Sequence, residues 1–348
     1  MKGKNTSIEI YDFLRTFAML LVVLGHGPIL QFGNAIYTMQ ENWMMTIFLG
    51  IQKILYTFHV PLFFWVSGAV YHLCRSDYHK YQTAGELIRS KWKKLLIPYC
   101  AVFIFLMVPI RLCVGFYKDN VILSIIRDFL GFGDNGHLWF LLVLFEIFVL
   151  YYFLEWMARR SPVILTGMVI LLYVAAFTIP DQYDTVLRYQ LWFWMGYEFE
   201  RRGLRRRLSS RYLLAKASAF LTVFFAAFWI SQEQRGVAAI IVANILTFSG
   251  ISLCYLLAMV AKRHRISLQW LSGYSFAIYL YHDLFNYLIL AVFVGSGSLG
   301  NTGPAGYFVL MLLKSVGVII LSIGLSKMVQ KLGMILKGKE EIGHGNRR

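Results

Sequence analysis

Hydrophobic residues divide the chain into about ten apolar segments that are separated by short polar stretches. A helix of about 20 apolar residues is long enough to cross the hydrocarbon core of a bilayer. The pattern therefore predicts an all-α, polytopic membrane protein with about ten transmembrane helices. The predicted segments are 10–30, 51–73, 95–116, 137–157, 162–180, 187–200, 212–231, 237–260, 272–294 and 306–333.

Positive charges are concentrated in alternate loops. When the N-terminus is placed in the cytoplasm and the sides alternate, 26 of the 34 lysines and arginines lie on the cytoplasmic side. This asymmetry follows the positive-inside rule and predicts that both termini are cytoplasmic. No loop is long enough for a separate domain, so we expect one membrane domain over 1–348, with a core of about 8–335 and a polar cytoplasmic tail at 336–348.

Composition excludes several other classes of protein. Only 15% of the residues are charged, whereas a soluble domain carries about 25%. The net charge of +16 is spread over short clusters without a contiguous basic face, so nucleic-acid binding is not expected. The four cysteines (Cys74, Cys100, Cys113 and Cys254) are scattered, and they predict neither a metal site nor a disulfide framework.

The first apolar segment contains three ionisable residues, Asp12, Arg15 and His26. In a helix, Arg15 and His26 project within about 20° of each other and are separated by roughly 16–17 Å along the axis. Asp12 is three residues before Arg15, within reach of a salt bridge. A structural interpretation is that Arg15 extends to the cytoplasmic headgroups, Asp12 pairs with it and His26 meets the outer interface. A functional interpretation is that these residues form a polar stripe inside the protein, because ionisable groups in membrane spans commonly mark functional sites.

Two other segments carry histidines near their predicted outer ends. His59 lies beside Pro61, where it could either hydrogen-bond a carbonyl that the proline leaves free or line a polar pocket. His137 begins the fourth segment together with Trp139, which could alternatively be an interfacial anchor. The similar depth of His26 and His59 favours a shared polar pocket.

Acidic groups also occur deep in the apolar segments. Glu146 lies deep in the fourth segment, where a carboxylate needs a partner or a wet cavity. His282 and Asp283 lie near the middle of the ninth segment, and such a pair more often lines a functional cavity than serves packing alone.

Five motifs occur in one order along the chain. They are Arg-x10-His (Arg15 and His26), FHVPLFFWVSG (58–68), KWKKLLIPY (91–99), HLWFL (137–141) and SFAIYLYH (275–282). Together they resemble the acyltransferase-3 family of membrane acyltransferases, and the chain is most similar in layout to fucose 4-O-acetylases and other bacterial glycan O-acetyltransferases, over roughly 8–335.

The resemblance implies that acetyl-CoA in the cytoplasm is the acyl donor, without a metal cofactor. His26 would be catalytic, either as general base toward an acceptor hydroxyl or as a transient acyl carrier, with Arg15 and its partner Asp12 in support. Arg15, Lys91 and Lys94 would bind the phosphates of CoA, although the family commonly has arginines where this chain has the two lysines. Succinyl transfer occurs in similar proteins, so the acyl group is left open.

The acceptor implied by the resemblance is a hydroxyl of a cell-surface or exported glycan, or of a lipid-linked sugar, at the bacterial plasma (inner) membrane. We expect it near His59, His137, Trp139 and His282, because an indole can stack on a pyranose ring. Transfer is either completed in this domain or finished by a separate extracytoplasmic partner. The rival function is a proton-coupled transporter or flippase of a glycan, lipid or small molecule, because intramembrane acids and histidines also mark proton relays.

Overall fold

A computed structural model shows a helical chain in which the described residues include one pair of two-residue antiparallel strands, β1 (Gln31–Phe32) and β2 (Ala35–Ile36). The chain forms two compact units, which are described separately below. The larger unit comprises 1–18 and 53–267, and the smaller unit comprises 19–52 and 268–348. The structure describes residues 2–32, 35–36, 42–117, 120–159, 161–180, 184–207, 212–232, 234–295 and 302–345.

The helices follow one another with short connections. Helices α1 and α2 each continue from one unit into the other. In chain order the described helices are α1 (Lys2–His26), α2 (Trp43–Tyr56), α3 (His59–Ser76), α4 (Ala84–Cys113), α5 (Val121–Phe129), α6 (Trp139–Met157), α7 (Pro162–Ala175), α8 (Thr185–Arg201), α9 (Leu204–Arg207), α10 (Leu213–Ser231), α11 (Gly236–Arg263), α12 (Gln269–Ser272), α13 (Ser275–Gly295), α14 (Pro304–Leu312) and α15 (Val318–Gly345).

Among the residues that the structure describes, six helical segments are long and apolar enough to cross a membrane, and two further apolar helices, Pro162–Thr178 and Ala215–Ser231, are shorter. The prediction of a helical, multi-pass membrane protein is therefore confirmed. Each of the ten predicted segments overlaps helical residues, although segment 51–73 spans the end of α2 and most of α3. The number of about ten crossings and the cytoplasmic placement of both termini stay predictions. The six segments are Trp43–Ser76, Ala84–Cys113, Gly136–Met157, Gly236–Arg263, Ser275–Gly295 and Pro304–Lys331.

In the larger unit, α3 and α8 cross with their backbones in direct contact. A Cβ atom placed on Gly68 of α3 would lie 1.8 Å from the carbonyl oxygen of Phe193, and one on Gly196 of α8 would lie 1.8 Å from that of Trp65. Helices in membranes commonly associate through such small residues, because lipid offers no hydrophobic driving force and close packing must replace it. Gly68 is the last residue of the motif FHVPLFFWVSG, so this crossing explains why that motif ends on glycine.

Prolines accompany changes in the backbone pattern of α4 in the larger unit. Helix α4 contains two π-helical turns, Trp92–Leu96 and Phe103–Met107, and a proline follows each of them within two residues. Because proline has no N–H, the hydrogen-bond ladder must shift there. In α3, Pro61 lies in the first turn, where a missing N–H costs no helical hydrogen bond, and the Thr247 hydroxyl of α11 donates to the carbonyl of Thr57 just before that helix at 2.8 Å.

The smaller unit has an apolar cluster between α13 and α14. Its buried members are Leu30, Leu290, Tyr307, Leu310 and Met311. A π-helical turn, Leu313–Gly317, joins α14 to α15 and carries the buried Lys314. The polar side chains described next lie within this otherwise apolar unit.

Candidate functional site

Two histidines that are 256 residues apart in the chain form a hydrogen-bonded pair in the smaller unit. His26 is the last residue of α1 and is half-buried, whereas His282 of α13 is fully buried. The Nε2 atom of His282 lies 3.0 Å from Nδ1 of His26, and the ring centroids are 5.0 Å apart. The structure therefore joins the histidine of the Arg-x10-His motif to the histidine of SFAIYLYH.

The other nitrogen of His282 determines the protonation pattern of the pair. Nδ1 of His282 lies 2.6 Å from the carbonyl oxygen of Tyr279, and a carbonyl can only accept a hydrogen bond. Nδ1 of His282 therefore carries the proton, and in the neutral ring Nε2 is the acceptor. Nδ1–H of His26 then donates to His282, which places the lone pair of a neutral His26 on Nε2. The tautomers are assigned from the hydrogen-bond partners.

Asp283 follows His282 directly. Together with His26 it brings three possible metal ligands close to one another: one atom each of His26, His282 and Asp283 lies within 4.8 Å of the other two. This group could therefore hold a metal ion. The 3.0 Å separation of the two histidine nitrogens is the length of a hydrogen bond. We therefore assign a hydrogen-bonded pair, and the sequence-based expectation that no metal takes part stays a prediction.

Two side chains that the sequence-based reasoning did not assign to the site hold the backbone next to His26. The last carbonyls of a helix have no partner within the helix and need other donors. Gln52 donates to the carbonyl of Gly25 at 2.8 Å, and the buried Lys314 ammonium donates to the carbonyl of Ile29. The sequence offered one signal that could have indicated a role for Lys314, because it is a lone cation in an apolar segment.

The predicted donor-binding residues lie in the larger unit in three different environments. Arg15 pairs with Asp12 as predicted, and both side chains are exposed. The ammonium of Lys91 lies 3.5 Å from the ring centroid of Phe148 and 4.9 Å from that of Tyr81, so it is enclosed by aromatic faces. Lys94 is exposed. Arg15 and Lys94 are therefore available to a ligand, whereas Lys91 is held by cation–π contacts.

A basic cavity of about 670 Å³ lies at the ends of α3, α6 and α8. Arg75, Arg159 and Arg201 line it, together with Glu155. The Glu155 carboxylate pairs with Arg75 and accepts hydrogen bonds from two tyrosine hydroxyls. In the sequence these arginines were only part of the loop charge, because nothing in their spacing indicated that they would meet.

A second cavity, of about 1170 Å³, lies in the larger unit between α6 and α8. Trp139, predicted to bind substrate, lines it and packs against Tyr189 at a centroid distance of 5.6 Å. Glu146, for which the sequence left a partner or a wet cavity open, lines the same cavity. We call this space the acidic cavity, for the carboxylates of Glu146, Asp134 and Asp184 in its wall.

A buried ion-pair network holds the loop at the edge of the acidic cavity. Arg111 of α4 donates to Asp128 at 2.8 Å and to Asp134 at 3.0 Å. Burial raises the pKa of the Asp128 carboxyl, and the Arg111 guanidinium opposes that rise. The Tyr99 hydroxyl donates to the carbonyl of Phe129 at 2.6 Å. These contacts fix the segment that leads into α6.

The other two histidines predicted to bind substrate are buried beside the acidic cavity. His59 has its Nδ1 atom 2.8 Å from the carbonyl oxygen of Leu55, and its ring packs on Tyr56, which lines the cavity. His137 lies in a 3-10 turn, Gly136–Leu138, directly before α6. Substrate contacts by these two residues stay predictions.

Comparison with known proteins decides the family. The profile of the acyltransferase domain family matches residues 8–327, which is nearly the whole chain. The chain belongs to the acyltransferase-3 family. Membership in the acyltransferase-3 family indicates a membrane acyltransferase, in agreement with the multi-pass helical fold.

One curated relative is an amino-acid racemase from Enterococcus faecalis. It is 32% identical to the chain over 143 residues, which is 40% of this chain. The match spans only 17% of that protein's length, so its named activity is not carried over to this acyltransferase-3 chain. No solved structure matches the chain significantly.

The geometry of the histidine pair suits acid–base chemistry. A base is effective when a second group fixes its tautomer and orientation, and His282 is so placed toward His26. Imidazole also exchanges protons near neutral pH, which suits reaction at a hydroxyl.

Proposed function

We propose that this acyltransferase-3 protein transfers an acetyl group from cytoplasmic acetyl-CoA to a hydroxyl of a cell-surface or exported glycan at the plasma (inner) membrane. The observation that carries the proposal is the hydrogen bond between His26 and His282, both of which belong to motifs of the family resemblance. The pair supplies a base whose lone pair is on a defined nitrogen.

In the first form of the mechanism, His26 is a general base. Nε2 of His26 takes the proton of the acceptor hydroxyl as its oxygen attacks the thioester carbonyl. The resulting tetrahedral intermediate collapses, the carbon–sulfur bond breaks, and the thiolate takes the proton back from His26. Throughout, Nδ1–H of His26 keeps its hydrogen bond to His282, so the ring does not rotate.

In the second form, His26 carries the acyl group. Nε2 attacks the thioester, the CoA thiolate leaves, and an acyl-imidazole forms. The acceptor hydroxyl then attacks the acyl carbon, and its proton passes to the thiolate or to solvent. Both forms use the same nitrogen, so the histidine pair supports either one.

Donor binding requires cations for the phosphates of CoA. Arg15 lies on the same helix as His26, and it is exposed to solvent together with Lys94. The basic cavity adds three guanidinium groups in the same unit as Arg15, and arginine matches phosphate with paired N–H donors. We infer that Arg15 and the basic cavity contribute more to the donor site than Lys91, whose ammonium is enclosed by aromatic rings.

Acceptor binding is assigned to the acidic cavity. Its volume of about 1170 Å³ exceeds the 300–1,000 Å³ that is common for small-ligand sites, and Trp139 and Tyr189 provide aromatic faces. A glycan needs such space and such faces. A separate extracytoplasmic partner could receive the acyl group instead, and the experiment below distinguishes these routes.

The purified protein in liposomes, given labelled acetyl-CoA and glycans isolated from the native cell surface, tests the proposal. We expect label in the glycan with the wild type and with His264→Gln, an exposed histidine that serves as the matched control. His26→Gln should transfer no label while remaining folded. Equal transfer by His26→Gln would contradict the proposal. Transfer only after addition of cell extract would indicate a separate partner.

The same liposomes test the rival function. A proton-coupled transporter or flippase would move labelled glycan, lipid or small molecule across the bilayer without acyl transfer. The observation that favours this rival function is Glu146, because a carboxylate in a membrane-crossing helix can relay protons. Transport without transfer, abolished by Glu146→Gln, would replace the acyltransferase proposal.

A further inference from the structure

Two helices each present one face to the acidic cavity, and the loop 130–136 forms another part of its wall. On α6, Trp139, Leu142, Val143 and Glu146 follow the spacing i, i+3, i+4, i+7, which aligns side chains along one face of a helix. On α8, Thr185, Arg188, Tyr189 and Trp192 follow a similar spacing. Both helices are in the larger unit, so the cavity is complete within that unit.

The aromatic part of this wall is held in place by packing. Tyr189 stacks on Phe64 with a centroid distance of 4.7 Å and an interplanar angle of 24°. Trp139 then packs against the same tyrosine at 5.6 Å. Rigid aromatic faces bind either the apolar face of a sugar ring or a cation, since their quadrupole is negative above the ring plane.

The charged part of the wall consists of three carboxylates and one guanidinium, that of Arg188. Asp184 is paired with Arg188, and Asp134 is paired with Arg111. The carboxylate of Glu146 is exposed to the cavity and has no hydrogen bond or ion pair within the described residues. A carboxylate without a cation in a membrane-crossing helix is costly, and a cationic ligand would offset that cost.

We propose that the acidic cavity binds a saccharide that carries a free amino group, with the ammonium at Glu146 and a sugar ring against Trp139. Calling this saccharide the acyl acceptor rests on the proposed function, whereas the ammonium site itself does not. The same charges disfavour an acidic glycan, because a uronate or phosphate would meet Glu146 with like charge.

Binding to the full-length protein in nanodiscs of neutral lipid, without an acyl donor, tests the proposal. The probes are a glucosamine tetrasaccharide, its fully N-acetylated counterpart and a galacturonate tetrasaccharide, titrated by isothermal calorimetry. We expect the amine to bind about tenfold or more tighter than the N-acetylated sugar, and the galacturonate to bind weakest. Equal affinities, or tightest binding of the galacturonate, would overturn the proposal.

Variants locate the effect at the carboxylate. Glu146→Gln keeps the side-chain shape and should reduce the affinity for the amine to that for the N-acetylated sugar. Glu86→Gln, an exposed glutamate of α4 outside the cavity wall, is the matched control and should leave all three affinities unchanged. A preference for the amine that persists in Glu146→Gln would overturn the proposal, provided that both variants unfold at the wild-type temperature.

The binding and transfer experiments distinguish failure of the ammonium site from failure of the proposed acyl transfer. If the amine binds as expected but receives no acetyl group from acetyl-CoA, the ammonium site stands and the acyl-transfer proposal fails. If acetyl is transferred to neutral or acidic glycans and the amine has no advantage in binding, the ammonium site fails and the acyltransferase proposal stands.

Discussion

Replacing Gly68 by alanine tests the close crossing of α3 and α8. The added Cβ would lie 1.8 Å from the carbonyl oxygen of Phe193 and 2.7 Å from its carbonyl carbon, whereas ordinary contact begins at 3.4 Å. The helices must therefore separate locally by about 1.5 Å. Overpacking commonly costs 1–3 kcal/mol, and we expect about 3 because the obstacle is backbone that has no alternative rotamer. Alanine has a higher helix propensity than glycine, which stabilises the helix by about 1 kcal/mol, so the net loss of unfolding free energy is roughly 2 kcal/mol.

Thermal unfolding of the purified protein, followed by tryptophan fluorescence in one detergent, measures this loss. Unfolding entropy is about 2.1 cal/mol/K per residue, so for a chain of 348 residues a loss of roughly 2 kcal/mol should lower the apparent midpoint of Gly68→Ala by about 3 °C. Gly196→Ala should behave alike, because its Cβ meets the carbonyl of Trp65 at 1.8 Å. The double variant should lose less than the sum, since both changes force the same separation.

The control is Gly167→Ala on α7, where a Cβ would meet nothing within 4 Å. It should leave the midpoint unchanged or raise it slightly through helix propensity. If Gly68→Ala and Gly167→Ala unfold at the same temperature, the α3–α8 crossing is not as close as described. Trp192 lies beside Phe193 on α8 and lines the acidic cavity, so a separated crossing should also weaken saccharide binding.

Substitutions at three further positions test the polar groups. His282→Leu should lower kcat about 100-fold or more, because it removes the hydrogen-bond acceptor that fixes the His26 tautomer. His282→Gln should retain more activity, because its amide oxygen can accept the same hydrogen bond. Equal losses of kcat in the two variants would contradict the tautomer assignment. Arg15→Ala should raise KM for acetyl-CoA about 10-fold or more with little change in kcat, and an unchanged KM in steady-state assays would exclude a donor role. Asn286→Leu should stabilise the protein by about 1 kcal/mol, because neither amide atom of this buried residue has a partner within the described residues; a lower unfolding midpoint would show that the amide is satisfied.

Local signals in the sequence were sufficient for the membrane class. Apolar length and the distribution of lysine and arginine act through the bilayer, which imposes the same constraint on every segment regardless of its neighbours. The segments at 51–73 and 95–116 therefore coincide with helices, although the structure extends them to Trp43–Ser76 and Ala84–Cys113. The spacing of Arg15 and His26 could also be predicted, because both lie on one continuous helix.

The sequence did not allow the geometry of contacts between distant segments to be predicted. His282 was expected near substrate, but its role toward His26 depends on a 3.0 Å contact between residues 256 positions apart. Lys91 was expected at a ligand, and the structure encloses its ammonium between Phe148 and Tyr81. Such contacts depend on how each helix is rotated about its axis and at what angle it crosses its neighbours. In helices that are apolar on all sides, the spacing of hydrophobic residues does not indicate either of these.

The sequence by itself determined the helical membrane fold and, through five motifs in order, the acyltransferase-3 family, because these depend on hydrophobic length and residue spacing along one chain. It also marked Glu146 as a carboxylate that needed a partner or a wet cavity. Only the tertiary structure decided which histidine faces His26, which carbonyl fixes the tautomer of His282 and which aromatic rings line the same cavity as Glu146. The physical reason is that a hydrogen bond or a cavity wall requires atoms from separate helices to meet within a few tenths of an ångström, and helix packing alone sets those positions.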